Sequence, residues 1–389
     1  MYDVIVVGVG GMGSAAVHHA AARGARVLGL EQFDIPHDLG SSHGLSRIIR
    51  LAYWEHPDYV PLVRRAYDLW LELEAAARER LLVVTGSVDA GAAAGANVAG
   101  ARAACQRFSL KYDELESGAL MARFPAYRLP ADAVAIYQPD GGFLRPERCI
   151  VAHVELARRR GAEVRDRERV LGWDEVDGGV RVRTTRGDYD GARLVVTAGP
   201  WTGPLIQRTA SLLSPERQVM LWTQALRPAL FQVGAFPVFY IDVGGGPFYG
   251  FPIHDGHGFK IGKYHHRREA VDPDTMDRVC SAEDEEVLRD GIRRYFPEAN
   301  GPTLAMTTCL FTNTPDEHFV IDVLDGAPRV CIAAGFSGHG FKFCSVVGEI
   351  LADLALDGAT RHDIALFSLA RRSLNPQIPR SVNPDIFRS

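Results

Sequence analysis

The chain opens on an unbroken apolar run, Val4-Ile5-Val6-Val7, that ends in a glycine cluster, Gly8-Val9-Gly10-Gly11-Met12-Gly13. A strand that is apolar at every position must be covered on both faces, so Tyr2 to Gly8 is predicted to be a buried strand of a parallel sheet. The alanine-rich stretch from Ser14 to Arg23 reads as a helix, and Arg26 to Glu31 as a second strand ending in an acid. Leu62, Ala66, Leu69 and Leu73 recur at helical spacing, which predicts a long helix over Pro61 to Arg80 with Pro61 near its first turn. Leu81 to Val88 reads as a strand broken by Gly86. Gly91 to Gly100 reads as a loop leading into a helix over Ala101 to Phe108.

Arg145 to Arg160 is predicted to be another helix. Short strands follow near Glu163 to Val170, Val180 to Thr184 and Leu194 to Thr197, the last running into the small-residue turn Ala198-Gly199-Pro200-Trp201. Between Gln218 and Lys263 the pattern changes to short alternating runs, such as Phe248-Tyr249-Gly250-Phe251 and Gly258 to Gly262, which predicts an antiparallel sheet. Arg329 to Ala334 is a last buried strand, Gly335 to Gly340 a turn, and Phe343 to Leu356 a helix. The fold class is α/β of the α+β, two-domain kind: a Rossmann-type dinucleotide domain plus an antiparallel-sheet substrate domain.

Composition narrows the partners. The 389 residues suit two domains or one large α/β enzyme, and the formal net charge of -5 gives no reason to expect nucleic acid or an anionic membrane. Cys105, Cys149, Cys280, Cys309, Cys331 and Cys344 form no CxxC pair and no zinc-ligand spacing, so no metal is expected. Scattered cysteines, no basic leader and no long apolar span together predict a cytoplasmic protein.

Gly8, Gly10 and Gly13 match G-x-G-x-x-G between a strand and a helix. The three glycines serve the tight turn, the approach of backbone to a pyrophosphate, and close helix–strand packing. Glu31, 18 residues beyond Gly13, would accept hydrogen bonds from a ribose. The extreme N-terminal position and a second small-residue turn near Gly199 lean towards FAD.

Taken singly, the remaining candidates have ordinary structural readings: a loop histidine at His43, surface arginines at Arg47 and Arg50, a solvent-facing strand lysine at Lys260, a core thiol at Cys309. Taken together they resemble one group. Gly40-Ser41-Ser42-His43-Gly44-Leu45-Ser46-Arg47-Ile48-Ile49-Arg50, Thr312-Asn313-Thr314-Pro315-Asp316-Glu317-His318, and Ala334-Gly335-Phe336-Ser337-Gly338-His339-Gly340-Phe341-Lys342 occur in order. From Tyr2 to about Asp363 the chain is similar to the monomeric sarcosine oxidase, N-methyltryptophan oxidase and pipecolate oxidase group of flavoproteins, most of all to the first.

The resemblance implies FAD held covalently through Cys309. It implies a monomer that oxidises a small secondary amino acid with O2, releasing formaldehyde and hydrogen peroxide from an N-methyl substrate. Lys260 falls at the lysine that activates oxygen, with His43 and Arg47 beside the flavin ring. Arg50 and Lys342 fall at the pair that holds the substrate carboxylate. Gly11, Met12, Ser41, Ser42, Ser46, Val170, Ala198, Gly199, Trp201, Gly335, Gly338 and Gly340 fall among the cofactor contacts. The implied FAD-binding domain is discontinuous, residues 1–86, 145–215 and 315–389, with residues 87–144 and 216–314 forming the substrate domain.

The likeness loosens around the substrate. Leu45 stands where sarcosine oxidases often have Asp, Tyr240 where they have Met, and Phe311 where they have Tyr, whereas Tyr249 and Phe251 keep the aromatic pocket. One extra residue after Lys260 leaves His265 or His266 as the substrate-pocket histidine. The alternatives are oxidation of L-pipecolate or another cyclic imino acid, or a flavin amino-acid dehydrogenase with a non-oxygen acceptor.

Overall fold

The computed structural model describes residues 1–374, so residues 375–389 of the expected FAD-binding segment lie outside the described residues. An eight-stranded sheet carries the N-terminal strand Tyr2–Val7 at its centre. That strand runs parallel to Val27–Leu30 on one side and to Asp188–Val196 on the other. Glu163–Arg165 and Ala327–Ala334 extend the parallel core outward. Val4 to Val7 are buried because helices cover one face and a second apolar cluster the other.

The first helix, Gly11–Ala22, begins three residues earlier than the expected Ser14. The glycines therefore belong to its first turn and bring its free N–H groups up to the strand end. It packs on helices Pro146–Arg159 and Cys344–Asp357. Contact with the latter depends on Gly348, where a Cβ would come within 2.4 Å of the Ala15 methyl.

A nine-stranded sheet forms the second layer system. Its longest pair, Ser214–Thr223 with Thr303–Asn313, is antiparallel, and Phe259–Lys263, Phe248–Phe251 and Val238–Asp242 follow in turn. Behind them Phe231, Phe236, Phe239, Phe259 and Phe296 form an aromatic core. Helix Ala282–Tyr295 closes the back, started by a capping box between Ser281 and Asp284. A third sheet of three short strands, Arg47–Ile49, Gly142–Leu144 and Leu82–Val84, joins segments from both expected domains.

Gly91 to Gly100 is not a loop. The strand Ser87–Ala92 runs into it and helix Ala96–Arg107 begins within it. Alanine is the best helix former, and Gly100 sits inside the helix because a Cβ there would lie 2.7 Å from the Trp54 carbonyl oxygen. Leu81 to Val88 divides at Gly86, whose φ of +77° only glycine adopts freely, into strands of two different sheets. No helix among the described residues is long and apolar enough to cross a membrane.

Candidate active site

A cavity of about 400 Å³ lies at the carboxyl ends of the parallel strands, where open α/β sheets bind ligands. Gly8, Gly10, Gly11 and Met12 border it at the helix start, and Glu31 at the end of the second strand. Ser41, Ser42 and Arg47, then Val170, then Ala198, Gly199 and Trp201, complete one wall, with Phe311, Gly335, Gly338 and Gly340 on the other. Gly10 leaves its backbone open to this space: nothing but Ser42 Oγ, at 3.9 Å, lies near where its Cβ would stand. Gly13 has a different task. A Cβ there would stand 1.8 Å from the Gly8 carbonyl oxygen, so it closes the helix onto the strand rather than touching a ligand.

Glu31 is buried, and burial raises its pKa against the amide hydrogen bonds it receives from Val9 N (2.8 Å) and Phe33 N (3.1 Å). A carboxylate has about four lone-pair sites, so it can still accept ribose hydroxyls. The helix N-terminus, the bare Gly10 backbone and Glu31 together fit an adenine dinucleotide.

The Gly40-to-Arg50 loop is pinned from outside. Glu147, in the first turn of helix Pro146–Arg159, accepts hydrogen bonds from Gly44 N at 2.6 Å and Leu45 N at 3.0 Å. Gly44 and Leu45 are both left-handed, with φ of +94° and +71°. This turn aims the Arg47 guanidinium back into the loop, where it donates to the Ser41 and Ser46 carbonyls, each at 3.0 Å, and lies 3.4 Å from Cys309 Sγ.

Lys260 is fully buried, not solvent-facing. It is the second residue of strand Phe259–Lys263, opposite Trp222 on one neighbour and Phe251 on the other. Its Nζ lies over those rings at 5.2 and 4.4 Å and donates to Gly44 O (2.6 Å), Ser46 O (2.9 Å) and Ser46 Oγ (3.2 Å). No carboxylate forms an ion pair with it among the described residues. Burial, and then the Arg47 charge, push its pKa well below the usual lysine range. Burial, Arg47 and Lys260 likewise keep His43 neutral, and His43 Nε2 has no hydrogen-bond partner.

His43, Ser46, Cys309 and Lys342, expected to contact the cofactor, do not border this cavity in the described structure, although Cys309 Sγ lies directly against Arg47, which does. The loop presents its Ser41, Ser42 and Arg47 side to the cavity and turns His43 away.

Arg50 is not a free cation. Its Nη2 lies 3.0 Å from Glu55 Oε1, and its Nε 3.5 Å from Asp89 Oδ2. Lys342 donates to the His339 carbonyl at 2.7 Å and lies 5.1 Å over the Tyr53 ring. Burial, helped by Arg50, lowers its pKa to about 7. Asp89 is buried with Oδ1 unpartnered; burial lifts its pKa to about 6 against the pull of Arg50. Sequence reasoning missed Glu55, Asp89 and Glu147. Only Asp89, a lone acid in a run of small residues, offered any signal.

Tyr240 is the register partner of Asp89, and its ring meets Trp54 (5.5 Å) and Tyr264 (6.3 Å). Tyr249 packs edge-on to Phe251. The Phe311 ring fills the space a Gly338 Cβ would take, at 2.4 Å. The two histidines separate cleanly. His265 packs on Tyr264 and Phe311, while His266 Nε2 is bonded to Asp284 at 2.9 Å in a separate buried cluster with Arg217. Burial works to lower the His265 pKa, but Glu216 and Glu317 outweigh it and raise it to about 9.

A family model described as FAD dependent oxidoreductase matches residues 3–354. The chain is 41% identical over 380 residues to a monomeric sarcosine oxidase of Streptomyces avermitilis, covering 96% of this chain and 99% of that protein. It is 35% identical over 374 residues to an N-methyl-L-tryptophan oxidase of Salmonella heidelberg, covering 96% and 99%. Among solved structures, NikD, an unusual amino acid oxidase essential for nikkomycin biosynthesis, superposes with a TM-score of 0.82 at 27% identity, covering 94% of this chain and 97% of that one.

Proposed function

Because the chain belongs to the FAD-dependent oxidoreductase family, we propose that it oxidises a small secondary amino acid, sarcosine or another N-methyl amino acid, with O2. The amine gives up two electrons and two protons to become an imine. Water then splits the imine into the demethylated amino acid and formaldehyde, while O2 takes up two electrons and two protons to become hydrogen peroxide. FAD, when bound, accepts the electron pair and hands it to oxygen. The protein acts as a monomer in the cytoplasm, with all six cysteines free.

One observation carries this reading: two buried basic centres stand on different elements with different surroundings. Arg50 and Lys342 sit among aromatic rings and suit a carboxylate, each charge-assisted hydrogen bond contributing about 1.5–3 kcal/mol. Lys260 sits apart, held by carbonyl oxygens and aromatic faces and with no ion-pair partner among the described residues. It suits an anion that appears only as O2 is reduced.

The substrate must bind as the free amine. A secondary amine with a pKa near ~10.4 costs roughly 5 kcal/mol to deprotonate near neutral pH. Glu55 and Asp89 offset Arg50, so Lys342 and the dry aromatic surroundings supply the bias against the ammonium. His265, held as an imidazolium between two carboxylates, orients the substrate and is not a proton acceptor near neutral pH. Arg47 donates to Cys309 Sγ at 3.4 Å and so holds in place the sulfur that would tether the flavin.

Anaerobic bleaching of the flavin by a panel of sarcosine, N-methyl hydrophobic amino acids, proline and pipecolate tests the substrate. Sarcosine or an N-methyl amino acid should bleach fastest; faster bleaching by pipecolate would replace the reading with cyclic imino acid oxidation. Lys260→Met should slow reoxidation by O2 far more than reduction by substrate. Equal reoxidation would remove Lys260 from the oxygen step and favour a dehydrogenase.

A further inference from the structure

The Gly40-to-Arg50 loop separates two hollows. Ser41, Ser42 and Arg47 border the dinucleotide cavity, whereas His43, Gly44 and Leu45 border a second groove of about 910 Å³. This groove runs to the cage of Lys260. Gly44, whose carbonyl accepts the 2.6 Å hydrogen bond from Nζ, and Trp222, whose ring lies 5.2 Å from Nζ, are both on its wall. Arg50, Lys342 and Glu55 border neither the groove nor its rim.

The lining changes along its length. Charged groups stand at the exposed rim, where Asp34 is paired with Arg167 at 2.6 Å. Leu304 also stands at the exposed edge, and farther in Leu45, Met306 and Trp222 supply an apolar wall. The Leu45, Met306 and Trp222 surface suits a small neutral molecule, and Glu147 Oε1 beside it is already taken by the Gly44 and Leu45 amides. At the inner end two polar atoms wait without partners: His43 Nε2 and Trp222 Nε1, on side chains 3% and 5% exposed. Both residues border the groove, and neither borders the dinucleotide cavity. A buried unpartnered N–H or ring nitrogen is costly, so a small hydrogen-bonding molecule at that point would satisfy both.

We propose that this groove is the path by which dioxygen reaches Lys260 and hydrogen peroxide leaves it, separate from the way the amino acid enters. The proposal rests on Lys260 as the oxygen-side lysine. Dioxygen, small and apolar, crosses the Leu45–Met306 stretch. It takes up the two electrons and two protons released by the amine, and the resulting peroxide can donate to His43 Nε2 and accept from Trp222 Nε1 as it departs. The neutrality of His43 leaves its ring free to accept.

Ala305→Trp tests the path. Ala305 is exposed and is the cross-strand partner of Trp222, so a new indole there covers Trp222 inside the groove without entering the core. Reoxidation of the reduced holoenzyme by O2 should slow roughly tenfold or more, with anaerobic reduction by sarcosine unchanged. Ala305→Ser should keep the native rate. As a readout independent of turnover, xenon pressed into holoenzyme crystals should sit between Leu45 and Trp222 in the native protein and be missing from Ala305→Trp. Native reoxidation in Ala305→Trp, or xenon found only outside this groove, overturns the path. Lys260→Met keeps the two ideas apart: slow reoxidation in Lys260→Met with a native rate in Ala305→Trp defeats the path alone, and a native rate in Lys260→Met defeats the oxygen role beneath it.

Discussion

Replacing Lys342 by Met should make the protein more stable and a poorer binder of carboxylates, a combination that few surface or core changes produce. A pKa of about 7 against the ordinary 10.5 places the buried ammonium roughly 5 kcal/mol above its solvated level, at about 1.36 kcal/mol for each tenfold. Because the folded pKa lies below the unfolded one, the unfolded chain binds this proton more tightly. The cost is therefore fully present below pH 7 and fades as pH rises towards 10.5. Met keeps the volume and packs its thioether on Tyr53 and Phe343, but it gives up the 2.7 Å hydrogen bond to His339 O, returning about 1–3 kcal/mol. The variant is expected to gain about 2–4 kcal/mol near pH 6, with the gain shrinking at pH 9. Loss of one charge-assisted contact should raise the dissociation constant for a small carboxylate such as methoxyacetate roughly 10- to 150-fold. Melting of the holoenzyme followed by flavin fluorescence at pH 6 and pH 9 measures the first effect, and anaerobic spectral titration the second. A melting temperature that falls equally at both pH values would show that no strained cation is buried there. An unchanged dissociation constant would place the carboxylate elsewhere.

Cys309→Ser should leave the flavin in the supernatant after acid precipitation, where the native protein carries the yellow colour down; colour retained by the variant would put the tether on another residue. Gly13→Ala drives a methyl to 1.8 Å from the Gly8 carbonyl, so it should part helix from strand at a cost of about 1–3 kcal/mol or more and purify with little FAD, read from its absorbance. Arg217→Met leaves the buried Asp284 carboxylate, bonded to that guanidinium at 2.9 and 3.0 Å, with His266 and the Ser281 amide as its hydrogen-bond donors, and should cost about 3 kcal/mol by thermal melting at neutral pH. Although burial opposes it, Arg217 holds the Asp284 pKa below the usual carboxylate range. Its stabilisation is thus present above that range and lost as pH falls through the lowered value, so the variant should melt with a flatter acid limb.

The dinucleotide half is readable from the order of residues alone. An all-apolar strand, three glycines at fixed offsets and an acid at the end of the next strand act through neighbours close in the chain, and steric demands such as that of Gly13 on Gly8 are local. The loop from Gly40 to Arg50, Lys260 and Lys342 were also legible as chemistry, through residue types and order. Their states were not. Alternation with Phe259 and Ile261 reads as a solvent-facing lysine, yet Lys260 is sealed by a loop 214 residues away. Arg50 reads as a free cation, yet Glu55 and Asp89 neutralise it from a turn and from another sheet. His265 and His266 are adjacent in sequence, and only Glu216 and Asp284, on distant elements, give them different partners. Charge pairing, burial and the pKa values that follow depend on what long-range folding brings within a few ångströms, and no local pattern encodes that distance. The second groove, with the unpartnered atoms of His43 and Trp222 at its inner end, exists only there.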